Sequence, residues 1–261
     1  MQHGALRETS RTVHFDHVAI ATTDIAVALD VAVGDLGGIV VHGGDGYGFR
    51  WVQTHLGTAL TGMTIELLVV WQPEVNDFLA RFVDRHGAGV HHMTFKVHDL
   101  EAMLERAGKF GLHPTGVSLN NPQWREAFLQ PREAHGTVIQ LAQTEYRAED
   151  FTSLVDRAAT TGVAEGTPVW WPAPPDRSIE TIALRRVVLG SPERARARDF
   201  FAGFLDGEVT NDDESSTDLA WPGGALRIVD APASGVHYLE ATGLTQQAVA
   251  LSGTTVRSDS D

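Results

Sequence analysis

The chain has 261 residues, no cysteine and a formal net charge of −14 at neutral pH. Without cysteine it has no disulfides, thiolate metal ligands or cysteine nucleophile, and such a composition favours a cytoplasmic location. The acidic balance disfavours nucleic acid as a partner, because phosphate binding needs a basic face. No apolar run approaches the roughly 20 residues that span a bilayer, and the first residues lack the apolar segment of a secretory signal. Neither nucleic acid nor a membrane is therefore expected as a partner.

The first half of the chain predicts the order strand, helix, strand, strand, strand. Residues 13–22, VHFDHVAIAT, alternate apolar and polar side chains, which is typical of a strand. Asp24 then stands where it can cap a helix, and three further strands follow up to residue 71. A helical crossover leads to AGVHHMTFKV at 88–97, from which the same order of elements, with a helix capped by Asp99, runs again to residue 144.

This second set of elements is predicted to be an internal repeat of the first. The segments FDHVAI and VHHMTF align His17 with His92, and GMTIELL and GTVIQLA align Glu66 with Gln140 at nearly the same offset. Two landmarks in the same strand order favour two βαβββ modules. We therefore predict modules at 13–71 and 88–144 that together form one domain.

The remainder of the chain predicts a linker and a reduced third copy. Residues 145–179 contain VWWPAPPDR, a proline-rich stretch typical of an extended linker, after a short helical pattern. Residues 180–243 show a strand, a helix and short strands, and end in GVHYLEA, which is similar to GVHHMTF. We predict a degenerate βαβββ module there, with flexible termini at 1–12 and 244–261.

Four sequence blocks resemble one known group of proteins. DHVAIA, IELL, GAGVHHMTFKV and FLQPREAHGTVIQL are similar to the vicinal oxygen chelate superfamily, which includes glyoxalase I, methylmalonyl-CoA epimerase, extradiol dioxygenases and bleomycin-resistance proteins. Within it, HHMTFKVHD at 91–99 is most similar to the methylmalonyl-CoA epimerase-like branch. The resemblance implies an α+β fold in which paired βαβββ modules form a curved-sheet cup around a metal ion, here followed by the degenerate third module.

Carried over to this sequence, the resemblance implies the metal ligands His17, Glu66, His92 and Gln140. Imidazole, carboxylate and amide oxygen suit one divalent ion such as Co, Ni, Mn, Zn or Fe. Relative to the epimerases, the carboxylate and amide positions are exchanged. The corresponding positions of the third module align with Ala183 or Leu184 and with Tyr238, so that module is predicted to bind no metal.

The alternation of side chains along a strand predicts which of the two adjacent histidines faces the cup. By register with His17, His92 faces the cup together with Thr94 and Lys96. His91 is predicted to point to the opposite face with apolar residues of the core (Met93, Phe95 and Val97) and to take no part in metal binding.

The function implied is that of a metal-dependent isomerase, epimerase or lyase. Its substrate would be a small oxygen-chelating molecule, such as an acyl thioester or a 2-oxo or hydroxy acid, whose enolate the ion stabilises. Glu66 is the candidate base, and Lys96 is expected to pair with an acidic group of the substrate. Two alternatives stay open: an Fe(II) dioxygenase with two histidines and one carboxylate, and a non-catalytic protein that binds a small molecule such as a drug. A monomer or a homodimer is expected.

Overall fold

The computed structural model describes residues 13–145, 148–161 and 182–259. The predicted lead-in at 1–12 and the proline-rich stretch lie outside these residues. The strands are β1 (Val13–Thr22), β2 (Ile39–Asp45), β3 (Phe49–Thr58), β4 (Thr61–Val70), β5 (Gly89–Val97), β6 (Thr115–Ser118), β7 (Arg125–Leu129), β8 (Val138–Gln143), β9 (Ala183–Ser191), β10 (Glu208–Asp212), β11 (Ser216–Trp221), β12 (Gly224–Asp230), β13 (Gly235–Thr242), β14 (Ala248–Leu251) and β15 (Thr254–Ser258). The helices are α1 (Ile25–Leu29, which continues as a π-helical stretch to Asp35), α2 (Phe78–His86), α3 (Leu100–Lys109), α4 (Ala148–Thr161) and α5 (Arg194–Gly203). Within the described ranges, no helix combines the length and the apolar character needed to cross a membrane.

The first sheet contains both predicted modules side by side. Its strand order is β2-β3-β4-β1-β5-β8-β7-β6, with β1 and β5 antiparallel at the centre. Each module closes by a parallel pair, β1 with β4 and β5 with β8. The carboxylates of Asp24 and Asp99 accept hydrogen bonds from the first turns of α1 and α3, as predicted for caps. The α+β fold with paired βαβββ modules is confirmed.

The C-terminal region forms a second, seven-stranded sheet in the order β10-β11-β12-β9-β13-β15-β14. Elements β9, α5, β10, β11 and β12 make a complete βαβββ module, and β13 to β15 make a reduced fourth that lacks the helix and one strand. The prediction of a flexible terminus over 244–261 is therefore wrong for β14 and β15. Leu251 and Val256 are fully buried there, so burial of two apolar side chains outweighs the polar composition of the surrounding sequence.

Helix α4 lies inside the segment 145–179 predicted to be a linker. Its apolar face packs on β2, where Val155 and Ala158 form a small buried cluster with Ile39 and Val41. The helical pattern in that segment thus has a packing partner, and the residues of α4 cover the outer part of the first sheet instead of running extended.

The two sheets share one hydrophobic core, which includes buried residues of both. The Trp221 ring stands 5.2 Å from the Phe95 ring and 6.3 Å from the Phe15 ring, measured between centroids. Its indole nitrogen donates a 2.7 Å hydrogen bond to the Leu205 carbonyl, and the Phe15 amide donates to the Pro222 carbonyl at 3.0 Å. The second sheet therefore covers the face of the first sheet that carries Phe15 and Phe95.

Removal of the Trp221 side chain should destabilise the chain as a whole. Trp221→Ala empties a buried ring site and leaves the Leu205 carbonyl without its donor, so we expect a loss of about 3–5 kcal/mol in the free energy of unfolding. Chemical denaturation measures this loss. The matched control is Trp71→Ala, since Trp71 is 39% exposed and should cost roughly 1 kcal/mol or less. Equal losses in the two variants would contradict a shared core.

Candidate metal centre

Two β-bulges between β1 and β5 decide which side chains reach the inner face, defined here as the face of the first sheet that carries His17, Glu66, His92 and Gln140. Phe15 pairs with Phe95 and His17 pairs with Thr94, so Asp16 is the extra residue of β1. Ala19 pairs with His92 and Ile20 pairs with Val90, so His91 is the extra residue of β5. A bulge turns its extra residue out of the simple alternation.

Both extra residues therefore lie beside the histidine that follows them. The Asp16 carboxylate is 2.8 Å from His17 Nδ1, and His91 Nδ1 is 2.8 Å from His92 Nδ1. The prediction that His91 shares a face with Met93, Phe95 and Val97 is wrong. Its ring packs against the Phe78 and Phe82 rings of α2, at 5.5 and 4.7 Å between centroids, because the bulge shifts the register by one residue.

Three of the four predicted ligands converge on the inner face. His17, Glu66 and His92 each offer a ligand atom, and these atoms all lie within 4.8 Å of one another. Within the described part of the chain this is the one such group of histidine, aspartate and glutamate side chains. All three residues are buried, with His17 only 1% exposed, and His17 Nε2 stands 3.4 Å from the Glu66 carboxylate.

Gln140, the fourth predicted ligand, lies next to this group through Thr94. The Thr94 hydroxyl donates a 2.6 Å hydrogen bond to Gln140 Oε1 and lies 2.9 Å from His17 Nε2. The Gln140 amide nitrogen donates to the Glu126 carboxylate at 2.7 Å. Because Glu126 holds the nitrogen, the amide oxygen of Gln140 is directed towards Thr94 and the histidines.

Glu126 is a site residue that sequence reasoning missed. It accepts hydrogen bonds from Gln140 and from the Trp124 indole nitrogen, the latter at 2.9 Å. Gln53 donates to the Glu66 carboxylate at 3.2 Å in the first module, so each module carries one glutamine–glutamate pair, with the order exchanged. Glu126 precedes Gln140 by nearly the same spacing as Gln53 precedes Glu66. The internal repeat is therefore the signal from which Glu126 could have been found.

Lys96 has a partner within the chain in place of the substrate group predicted for it. Its ammonium group lies 2.6 Å from the Asp16 carboxylate, which the bulge in β1 brings to the inner face. Asp16 in turn contacts His17. Lys96 is thus connected to the site through the carboxylate behind His17.

Burial and charge give the two histidines different protonation states. Burial alone would lower the pKa of His17, but the Glu66 carboxylate and the bond to Asp16 outweigh it and raise this pKa to about 9. Burial, followed by the charges of the neighbouring histidines, holds the pKa of His92 well below its usual range. Although burial opposes it, Lys96 and His17 hold the pKa of Asp16 low. At neutral pH His17 is therefore an imidazolium between two carboxylates, and His92 is neutral.

The donor set fits a divalent metal ion. His92 Nε2 is buried and has no hydrogen-bond partner among the described residues, and an orphaned buried nitrogen of this kind requires an explanation. Two imidazoles, a carboxylate and a nearby amide oxygen are ligand types that suit Zn, Mn, Fe, Co or Ni. A carboxylate contacts His17 Nδ1, which is the usual arrangement behind a metal-bound histidine.

The second sheet has arginines where the first has ligands. The bulges recur, with Arg185 and His237 as the extra residues. The strand pairing therefore shows which residues of this sheet stand at the positions of the four predicted ligands. Arg186 stands at the position of His17, Arg227 at that of Glu66, Tyr238 at that of His92 and Arg257 at that of Gln140. The predicted alignment of Ala183 or Leu184 with His17 is wrong, because the strand pairing places Arg186 there, whereas Tyr238 aligns as predicted.

Two of these arginines carry their own counterions. Arg186 is bonded to Glu240 and to Asp259, and Arg227 forms a bidentate pair with Asp218 at 2.7 and 2.8 Å. Among the described residues, the group of histidine and carboxylate ligands lies on the first sheet. A separate surface groove of about 630 Å³ lies beside α5. It is lined mainly by arginines and acidic residues that pair with one another, such as Arg198 with Asp212.

Comparison with known proteins agrees with this architecture. Residues 16–128 match the family model described as the glyoxalase/bleomycin resistance protein/dioxygenase superfamily. A hypothetical protein from Staphylococcus aureus is similar over 95% of this chain and 99% of its own, with 15% identity and a TM-score of 0.65, so the two-sheet fold recurs there.

Methylmalonyl-CoA epimerase from Mycobacterium tuberculosis aligns with 53% of this chain and 93% of its own, with 27% identity and a TM-score of 0.46. No curated protein matches the chain. The family match covers most of the first sheet, including β1, β4 and β5. The paired modules of that sheet are therefore similar to the glyoxalase/bleomycin resistance protein/dioxygenase superfamily over residues 16–128.

Proposed function

We propose that the chain is a metal-dependent enzyme, an epimerase, isomerase or lyase, that transfers a proton at a carbon next to a carbonyl group. The observation that carries the proposal is the convergence of His17, Glu66 and His92 around a buried, unpartnered imidazole nitrogen. A divalent ion bound there would supply a Lewis acid for the carbonyl oxygen of a substrate with two neighbouring oxygens.

In this proposal His17 and His92 hold the ion through Nε2, Glu66 through its carboxylate and Gln140 through its amide oxygen. Glu126 keeps the Gln140 amide in the required orientation, since it accepts the bond from the amide nitrogen. The Thr94 hydroxyl lies between His17 and Gln140 and orders both side chains.

Two carboxylates are available for proton transfer. Glu66 on β4 and Glu126 on β7 lie on opposite sides of the central pair β1 and β5 in the strand order. A substrate carbon between them would have one carboxylate on each side, so that one removes a proton and the other returns one. The glutamines that bond these carboxylates, Gln53 and Gln140, hold them in place.

A second candidate function is an Fe(II)-dependent dioxygenase. The specific observation in its favour is the composition of the converging group, two histidines and one carboxylate, which is the set that holds iron in many oxygenases and leaves positions open for oxygen. Oxygen consumption with Fe(II) distinguishes this function from proton transfer. For either activity, the net charge of −14 favours a small-molecule substrate over nucleic acid, and we propose a cytoplasmic location.

The purified protein should contain about one divalent ion per chain. His17→Ala and His92→Ala each remove one of the four proposed protein ligands, and the remaining ligands should hold the ion only weakly. Both variants should therefore lose most of the bound metal while they keep the fold. Metal analysis beside circular dichroism checks this. The matched control is His98→Ala, because His98 is an exposed residue just beyond β5. Full metal retention by both ligand variants would contradict the site.

Metal binding should release a proton that His17 holds in the metal-free protein. A histidine ligand must be neutral to bind, and its pKa of about 9 means that the proton is present at pH 7. Affinity for Zn²⁺ should thus rise about tenfold per pH unit from pH 7 and level off above pH 9. Calorimetry in two buffers of different ionisation enthalpy measures the released proton. Asp16→Asn should reduce the release at pH 7, and an affinity independent of pH in the wild type would rule out the assigned protonation.

Loss of either carboxylate should slow proton exchange without loss of the ion. Glu66→Gln retains an oxygen ligand and Glu126→Gln touches no proposed ligand except Gln140, so both should keep metal and lose about 10²–10⁴ in rate. The measurement is deuterium uptake from solvent at the α-carbon of acyl thioesters and 2-oxo acids. Glu133→Gln serves as control, since Glu133 pairs with the exposed His113. Unchanged exchange in both variants would assign the base elsewhere.

A further inference from the structure

We infer that His91 is a positioning residue that fixes the ring tautomer in which His92 can bind a metal ion. The inference rests on the proposed metal site and extends it to a residue that the sequence pattern placed on the wrong face. Its basis is the contact between the two Nδ1 atoms, 2.8 Å apart, together with the orphaned Nε2 of His92.

A hydrogen bond between two imidazole nitrogens assigns one of them as donor and the other as acceptor. For His92 to bind an ion through Nε2, that nitrogen must present its lone pair, so the proton of the neutral ring is on Nδ1. His91 Nδ1 is then the acceptor, and the proton of His91 is on its own Nε2. The second nitrogen of a metal-bound histidine is commonly oriented in this way by a partner outside the ligand set.

Helix α2 holds His91 in the required orientation. The Phe78 and Phe82 rings meet the His91 ring edge to face, with interplanar angles of 66° and 74°. Both phenylalanines pack with Ala19, Ala21 and other apolar residues of the inner face. The plane of the His91 ring is thus set by packing before any ion binds.

The two proposed histidine ligands have partners of different charge. Each partner is the extra residue of a β-bulge, Asp16 for His17 and His91 for His92. Asp16 is a carboxylate paired with Lys96, and it lies 2.8 Å from His17 Nδ1. His91 is an imidazole rather than a carboxylate and contacts His92 through Nδ1, so its contribution is orientation rather than charge compensation.

Three substitutions separate orientation from packing, with Co²⁺ as the probe. His91→Phe keeps an aromatic ring against α2 and removes the acceptor, His91→Gln keeps an acceptor and removes the ring, and His91→Ala removes both. We expect His91→Phe and His91→Ala to weaken Co²⁺ binding by about 10- to 100-fold and His91→Gln to restore most of the affinity. Chelator competition and the Co²⁺ absorption spectrum measure these effects, and His98→Ala is the control.

Nitrogen-15 NMR of the histidine rings in the metal-free wild type provides a measurement that needs no variant. His92 should show the Nδ1–H tautomer, and the Nε2–H tautomer would overturn the inference. Wild-type affinity in His91→Phe would also overturn it, while the metal site itself would stand. Absence of Co²⁺ binding by the wild type would instead contradict the metal site, and with it the role given to His91.

Discussion

Burial of charged and polar side chains on the inner face of the first sheet is the constraint on which the rest of the structure depends. His17 and Glu66 are almost inaccessible, and a buried charge is tolerated only when it is paired and hydrogen-bonded. Asp16 supplies the pair behind His17, Lys96 neutralises Asp16, and Gln53 bonds Glu66. The nitrogen of His92 is the group that this network leaves without a partner, and a metal ion is the partner whose chemistry fits it.

The second sheet meets the same constraint by other means. A guanidinium group is permanently charged and forms bidentate pairs with carboxylates, so Arg186 and Arg227 compensate Glu240, Asp259 and Asp218 without any added ion. The same bulged strand pair thus carries two imidazoles in the first sheet, and an arginine and a tyrosine at the equivalent positions of the second. In this account the second sheet stabilises the first through the shared core around Trp221. The proposed metal binding and proton transfer belong to the first sheet.

Much of the first sheet was predictable because its sequence repeats. Nearly equal spacing of His17 and Glu66 against His92 and Gln140 predicts the modules, and the caps Asp24 and Asp99 predict their helices. The bulges were not predictable, since an extra residue in a strand leaves the apolar and polar alternation locally ambiguous. For that reason the face of His91 was assigned incorrectly. Strands β14 and β15 were missed because they are short, with four and five residues, and polar residues flank them.

The central claim is that one ion binds between His17, Glu66 and His92, and anomalous X-ray scattering at the Zn edge tests it most directly. Crystals grown with Zn²⁺ should show one strong peak about 2.0–2.2 Å from both His Nε2 atoms and from a Glu66 carboxylate oxygen. The arginine-bearing face of the second sheet should show none. A peak that does not include His92 Nε2, or a fully ordered inner face without any peak, would contradict the account.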